Sequence, residues 1–113
     1  MTSDVTNDLI IFSDAPEHLR PFWDSFFLEL KEGMSEIQTA WEQKNLKTLK
    51  ERAHCYKGQV MLFRYYGFQQ RFLLLEHYTI SKDMDNIEHT ITELQNYFQQ
   101  EVHRYVTYKN CHC

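Results

Sequence analysis

The chain has 113 residues, enough for one domain and too few for two. Its 42% hydrophobic and 15% aromatic content supports a packed core and argues against disorder over most of the length, while 3 glycines and 2 prolines favour long helices. With 12 basic and 16 acidic residues the net charge is −4, which argues against nucleic acid as the main partner, since a phosphate backbone needs a basic patch.

In chain order, residues 1–13 read as a flexible N-terminal segment whose Leu9 to Phe12 stretch packs against the body. Asp14, Pro16 and Glu17 form a helix-start signal that leads into the first long helix. Helix 1 is predicted over roughly residues 20–43. Trp23, Phe27, Leu30, Met34, Ile37 and Trp41 step by four and three along one apolar stripe, widened by Phe22 and Phe26, with Gly33 a mild weakness in the middle. Residues 42–45 are a short polar link that ends in Asn45, a good helix cap.

Helix 2 shows Leu46, Leu49, Ala53, Tyr56, Val60 and Phe63, and Gly67 is predicted to end it. Helix 3 is expected from near Phe68, with Phe72, Leu75 and Tyr78 on its stripe and Leu73 and Leu74 broadening that face. Residues 81–83 break it, and Asp83 or Ser81 caps helix 4, whose stripe is Ile87, Ile91, Leu94, Phe98, Val102 and Tyr105. The pattern is lost after that, so residues 109–113 read as a C-terminal tail. Four amphipathic helices with short links pack as antiparallel neighbours. The fold class is therefore all-α, an up-down-up-down four-helix bundle over residues 14–108.

The three cysteines, Cys55, Cys111 and Cys113, cannot all pair within one chain. No charged leader precedes the first apolar stretch, and residues 9–12 are too short for a signal-peptide core or a membrane span. A reduced, cytoplasmic protein without membrane contact is the expectation.

One residue of helix 2 stands outside its stripe. His54 is about 100° around the helix from the core residue Ala53. Lys50, Glu51, Lys57, Gly58 and Met61 flank it at helical spacing. An imidazole in water is a fair nucleophile for phosphorus near neutral pH. Lys57, one turn on, is placed to compensate the charge of a phosphoryl group. Gly58 gives up as much as about 1 kcal/mol of helix stability relative to Ala, which a clear approach path for a second protein would explain.

The run Ala53-His54-Cys55-Tyr56-Lys57-Gly58, set on the second of four such helices after a short polar link, resembles the histidine-containing phosphotransfer (HPt) domain family. The likeness covers residues from about 20 to 105. It implies a phosphocarrier in a multistep His–Asp relay: His54 accepts the phosphoryl group and Lys57 is its electrostatic helper. Donor and acceptor would be aspartates of response-regulator receiver domains, with a hybrid sensor kinase upstream. Lys50, Gly58, Gln59 and Met61 would form the docking surface. The chain would bind no cofactor; magnesium would sit in the receiver partner. It would be no enzyme in its own right, and a free-standing monomer is expected. Three departures stand out. Tyr56 replaces the usual Leu, Gln59 replaces a Ser or Ala, and Gly67 falls later than the family's second glycine. A degenerate, non-phosphorylated helical adaptor for signalling proteins is the alternative.

Other chemistry is weakly indicated. Glu51 and His54 make half of a di-iron motif, but no second Glu-x-x-His exists. Cys111, His112 and Cys113 match no zinc-finger spacing. His18, His77 and His89 read as surface histidines.

Overall fold

The computed structural model describes Phe12 and residues 17–112, the last of these as backbone only. A 3-10 turn over Glu17–Phe22 leads into four α-helices: α1 (Trp23–Glu42), α2 (Leu46–Leu62), α3 (Tyr66–Ser81) and α4 (Met84–His112). There is no strand among the described residues. Links of three, three and two residues leave each helix no choice but to return alongside its predecessor. α1 packs on α2 and α4, and α3 packs on α2 and α4, so the all-α, up-down-up-down bundle closes as the spacing predicts. No described helix is long and apolar enough to cross a membrane.

The three links share one ending. In each, a single basic residue takes the left-handed conformation: Lys44 (φ 55°), Arg64 (φ 57°) and Lys82 (φ 57°). The N–H of that residue bonds back to the carbonyl three residues earlier, and the next N–H bonds to the one five residues earlier. The pairs are Lys44 to Trp41 and Asn45 to Ala40, Arg64 to Met61 and Tyr65 to Val60, Lys82 to Thr79 and Asp83 to Tyr78. This is the Schellman pattern, which satisfies the last helical carbonyls. A cation there also meets the negative helix end favourably, offsetting part of the cost of a left-handed side-chain-bearing residue. Two of the residues that follow then cap the next helix. Asn45 Oδ1 accepts from the Thr48 N–H at 3.1 Å, and Asp83 Oδ1 accepts from the Asn86 N–H at 3.3 Å.

The predicted stripes form the core, with Leu46, Phe63, Tyr78 and Val102 only partly buried at its edge. Trp23, Phe27, Leu30, Met34, Ile37, Trp41, Leu49, Ala53, Tyr56, Val60, Phe68, Phe72, Leu75, Ile87, Ile91, Leu94, Phe98 and Tyr105 are all buried. Four expectations need correction. Gly67 does not end α2, which stops at Leu62; it lies in the first turn of α3, buried, where the Tyr97 ring takes the space a Cβ would fill. Gly33 is likewise the seat for the Tyr56 ring and not an idle weakness. Leu73 and Leu74 face solvent, as does Phe22. α4 runs on to His112 where a tail was expected from residue 109. Of the N-terminal segment only Phe12 is described, and it is buried as expected. Its ring contacts Trp23, Phe27, Tyr65, Tyr105 and Tyr108. The Asp14 and Pro16 start signal lies outside the described residues.

One charged side chain is unexpectedly inside. Glu101 is buried and accepts from the Tyr65 hydroxyl at 2.6 Å, with Arg104 paired to the same oxygen. Burial, and then the bond to Glu101, push the Tyr65 phenol far above its ordinary range, so it remains a donor at any working pH.

The left-handed links yield a stability prediction. Lys82→Gly should raise stability by about 0.5–1 kcal/mol, since glycine takes a positive φ without steric penalty. Denaturant unfolding is the measurement, and a loss of stability would mean that the cation matters more than the backbone strain.

Candidate functional site

The rotation of α2 places His54 outward. With Leu49, Ala53, Tyr56 and Val60 all turned inward, the opposite side of the helix must face water. The His54 side chain is 68% exposed. Gly58 lies one turn further on, and a Cβ built there would meet nothing within 4 Å. Met61 follows in the same row, also exposed. His54, Gly58 and Met61 therefore form one open strip, and Lys50 extends it one turn toward the start of α2.

Lys57 lies to one side of that strip, toward α3, where a residue that sequence spacing never singled out organises the site. Glu76 takes both the imidazole and the ammonium, one on each oxygen. His54 Nδ1 lies 3.0 Å from Oε2, and Lys57 Nζ lies 2.8 Å from Oε1. The ring is open while its partners are not: the side chains of Lys57 and Glu76 are only 21% and 17% exposed. The hydrogen bond from Lys57 holds the Glu76 carboxyl below the usual glutamate range. Partial burial opposes this, and the bond from His54 adds to it. The Glu76 backbone carbonyl also accepts from the Thr79 hydroxyl at 2.7 Å.

This geometry decides which ring nitrogen is free. An ionised carboxylate only accepts, so the His54 nitrogen facing it, Nδ1, carries the proton. In the neutral ring Nε2 then holds the lone pair, on the side away from Glu76. The arrangement offers a nucleophilic nitrogen to solvent, a fixed tautomer and an adjacent ammonium.

The sequence-predicted site residues separate into groups. His54, Gly58, Met61 and Lys50 share the open strip. Lys57 adjoins it, with its charge engaged by Glu76. Gln59 turns the other way, toward α1. There it lines a shallow groove with Leu19, Phe22, Phe26, Leu62 and Phe63, and so stands apart from the His54 ring. Phe22 and Leu62 expose large apolar surfaces at that end, a feature the sequence reading had assigned to the core or passed over. Cys55 is exposed beside His54, and Cys111 is exposed near the end of α4. Compared with models of known protein families, with curated proteins and with solved structures, the chain matches none.

The Glu76 link has a pH signature. Its folded pKa lies below its unfolded value, near 4.3 for a free glutamate. The link therefore stabilises the fold above that value, and the contribution is lost as pH falls through the lower folded pKa. Glu76→Gln should be less stable than the parent at pH 7, and the difference should shrink in acid as the parent carboxylate is protonated. A pH-independent difference in urea midpoints would show that Glu76 acts through packing alone.

Proposed function

We propose that the chain is a phosphocarrier of a cytoplasmic His–Asp relay, taking a phosphoryl group on His54 Nε2 from a receiver-domain aspartyl phosphate and handing it to another receiver aspartate. The observation that carries this reading is the open ring beside a glycine with empty space above it. Gly33 and Gly67 each seat a tyrosine, whereas no described neighbour requires Gly58 to be glycine. The stability given up there, as much as about 1 kcal/mol, is accounted for if a second protein must come close to the helix backbone.

The transfer balances simply. The Nε2 lone pair forms the N–P bond, and the electron pair of the breaking P–O bond returns to the receiver carboxylate. The Nδ1 proton stays where it is, and Glu76 faces the positive charge that the ring acquires. In-line attack needs an oriented nucleophile, which the His54–Glu76 bond provides as a proximity effect. The receiver and its magnesium supply the charge stabilisation at phosphorus. Lys57 can reach the new phosphate oxygens only by sharing or leaving Glu76, so its role is one of exchange between two anions. Met61 gives the docking face an apolar contact, and Lys50 a basic one. On this reading the chain is a carrier and no enzyme, and a hybrid sensor kinase stands upstream of it.

The adaptor without phosphate is the second reading. It is favoured by one observation, that Glu76 already neutralises Lys57 beside the ring. Two variants separate the readings. His54→Gln should fold normally and take no label from a magnesium-loaded, phosphorylated receiver, whereas the parent should acquire an acid-labile, base-stable phosphate. Labelling of the variant at the parental rate would refute the assignment. Gly58→Ala should be more stable by about 0.5–1 kcal/mol, from helix propensity, yet transfer more slowly. Unchanged transfer kinetics would remove the docking explanation for this glycine.

A further inference from the structure

The motif on α2 reads as a basic site, but the bundle makes it a neutral one. The charged side chains placed around His54 are Lys50, Glu51, Lys57 and Glu76. The first three share α2 with the ring, at the three- and four-residue spacing that brings helix side chains together. α3 adds Glu76, which is bonded to the ring and to Lys57. The ammonium groups and the carboxylates cancel. The other charged side chain of α3, Arg71, is engaged elsewhere. It donates to the Gly67 carbonyl at 2.9 Å and lies 3.9 Å from the centre of the Tyr97 ring on α4.

These charges are not equal in effect. Lys50 and Glu51 are exposed, so water and salt screen them. Lys57 and Glu76 are partly sheltered, and a sheltered pair is screened less. Lys57, bridged to the ring by Glu76, is the ammonium best placed to hold a phosphate there, and it is already taken. A phosphoryl dianion on His54 therefore has two options. It shares Lys57 with Glu76, so that two anions crowd one ammonium, or it draws Lys57 away and leaves a partly buried carboxylate without its cation. Both cost free energy.

We propose that Glu76 limits how strongly His54 holds a phosphoryl group, by competing with that group for Lys57. The proposal rests on the phosphocarrier reading and adds to it that the loaded form is transient, built to pass the group on and not to store it. Glu76 acts through Lys57 and the ring, away from phosphorus, and is a positioning residue. One effect runs the other way: Glu76 also faces the positive charge of the loaded ring. Glu76→Gln and Lys57 variants separate the two effects. Gln keeps the shape of the side chain, and its amide oxygen still accepts from Nδ1, but a neutral amide does not bind an ammonium as a carboxylate does.

Phosphoramidate gives a test that needs no receiver. His54 Nε2 forms a bond to its phosphorus, and the leaving nitrogen keeps the electron pair of the old N–P bond and departs as ammonia. With phosphoramidate and ammonia at fixed concentrations, each ring of the whole chain settles to an occupancy that imidazole nitrogen NMR reads. His89, exposed on α4, is the internal reference. Glu76→Gln should raise the ratio of His54 to His89 loading by about fivefold or more, the upper range for an exposed ion pair. Lys57→Met should abolish that gain in the double variant, with helicity unchanged throughout. An unchanged or lower ratio in Glu76→Gln would overturn the proposal, as would an equal gain in the Lys57→Met background, and either result leaves the relay reading standing. The expected gain without exchange with any phosphorylated receiver would end the relay reading and keep the Glu76 effect. Loading of His89 but not of His54, in the parent and in Glu76→Gln alike, would end both.

Discussion

A tyrosine ring resting on a glycine sets the rotation of α2, and the site follows from that rotation. Tyr56 lies two residues from His54, on the opposite side of the helix, and fills the space where Gly33 of α1 would otherwise carry a side chain. Its hydroxyl donates to Glu36 of α1 at 3.4 Å, and Arg52 pairs with the same carboxylate oxygen at 3.6 Å. A close-packed contact of this kind tolerates little turning. With Tyr56 held, His54 must face water, Lys57 must face α3 and Gln59 must face α1. A ring as large as Tyr56 on the inward side of α2 is thus accommodated by a glycine on the facing helix, and the exposed side is left undisturbed.

The site is a meeting of two helices, although the motif lies on one. α2 supplies the ring, the ammonium and the gap; α3 supplies the carboxylate that orients the ring and engages the ammonium. A lysine beside a histidine in sequence suggests a waiting positive charge. The bundle gives a compensated trio, in which one carboxylate sits between an ammonium and an imidazole in partial shelter from water. Such a cluster is more constrained than a solvated lysine, because Lys57 and Glu76 hold each other.

Periodicity made the bundle legible, because each stripe steps by three and four and each link is short. Asn45 and Asp83 were readable as caps for the same local reason. What stayed hidden depends on contacts distant in sequence. Glu76 stands 22 residues from His54, so no spacing rule connects them. The run Leu73-Leu74-Leu75 hides which leucine is inside, and only the full row through Phe68 and Phe72 selects Leu75. Gly67 read as a helix end because glycine favours left-handed backbone. Here Lys44, Arg64 and Lys82 fill those positions, and the glycine is reserved for a tyrosine. Glu101 was missed because a carboxylate in a helix normally reads as surface; its partner Tyr65 comes from the link between α2 and α3.

α4 is much the longest helix, and its last turns use contacts that the other helices alone do not provide. Tyr105 donates to Asp24 at 2.9 Å, Lys109 reaches the same oxygen at 3.0 Å, and the rings of Tyr105 and Tyr108 both pack at a tilt against Phe12. Phe12 and the last turns of α4 are thus clasped in one aromatic knot at the foot of the bundle. A version trimmed to the tidy central helices would lose both halves of that clasp together, so the smallest piece that folds well extends past the motif in both directions.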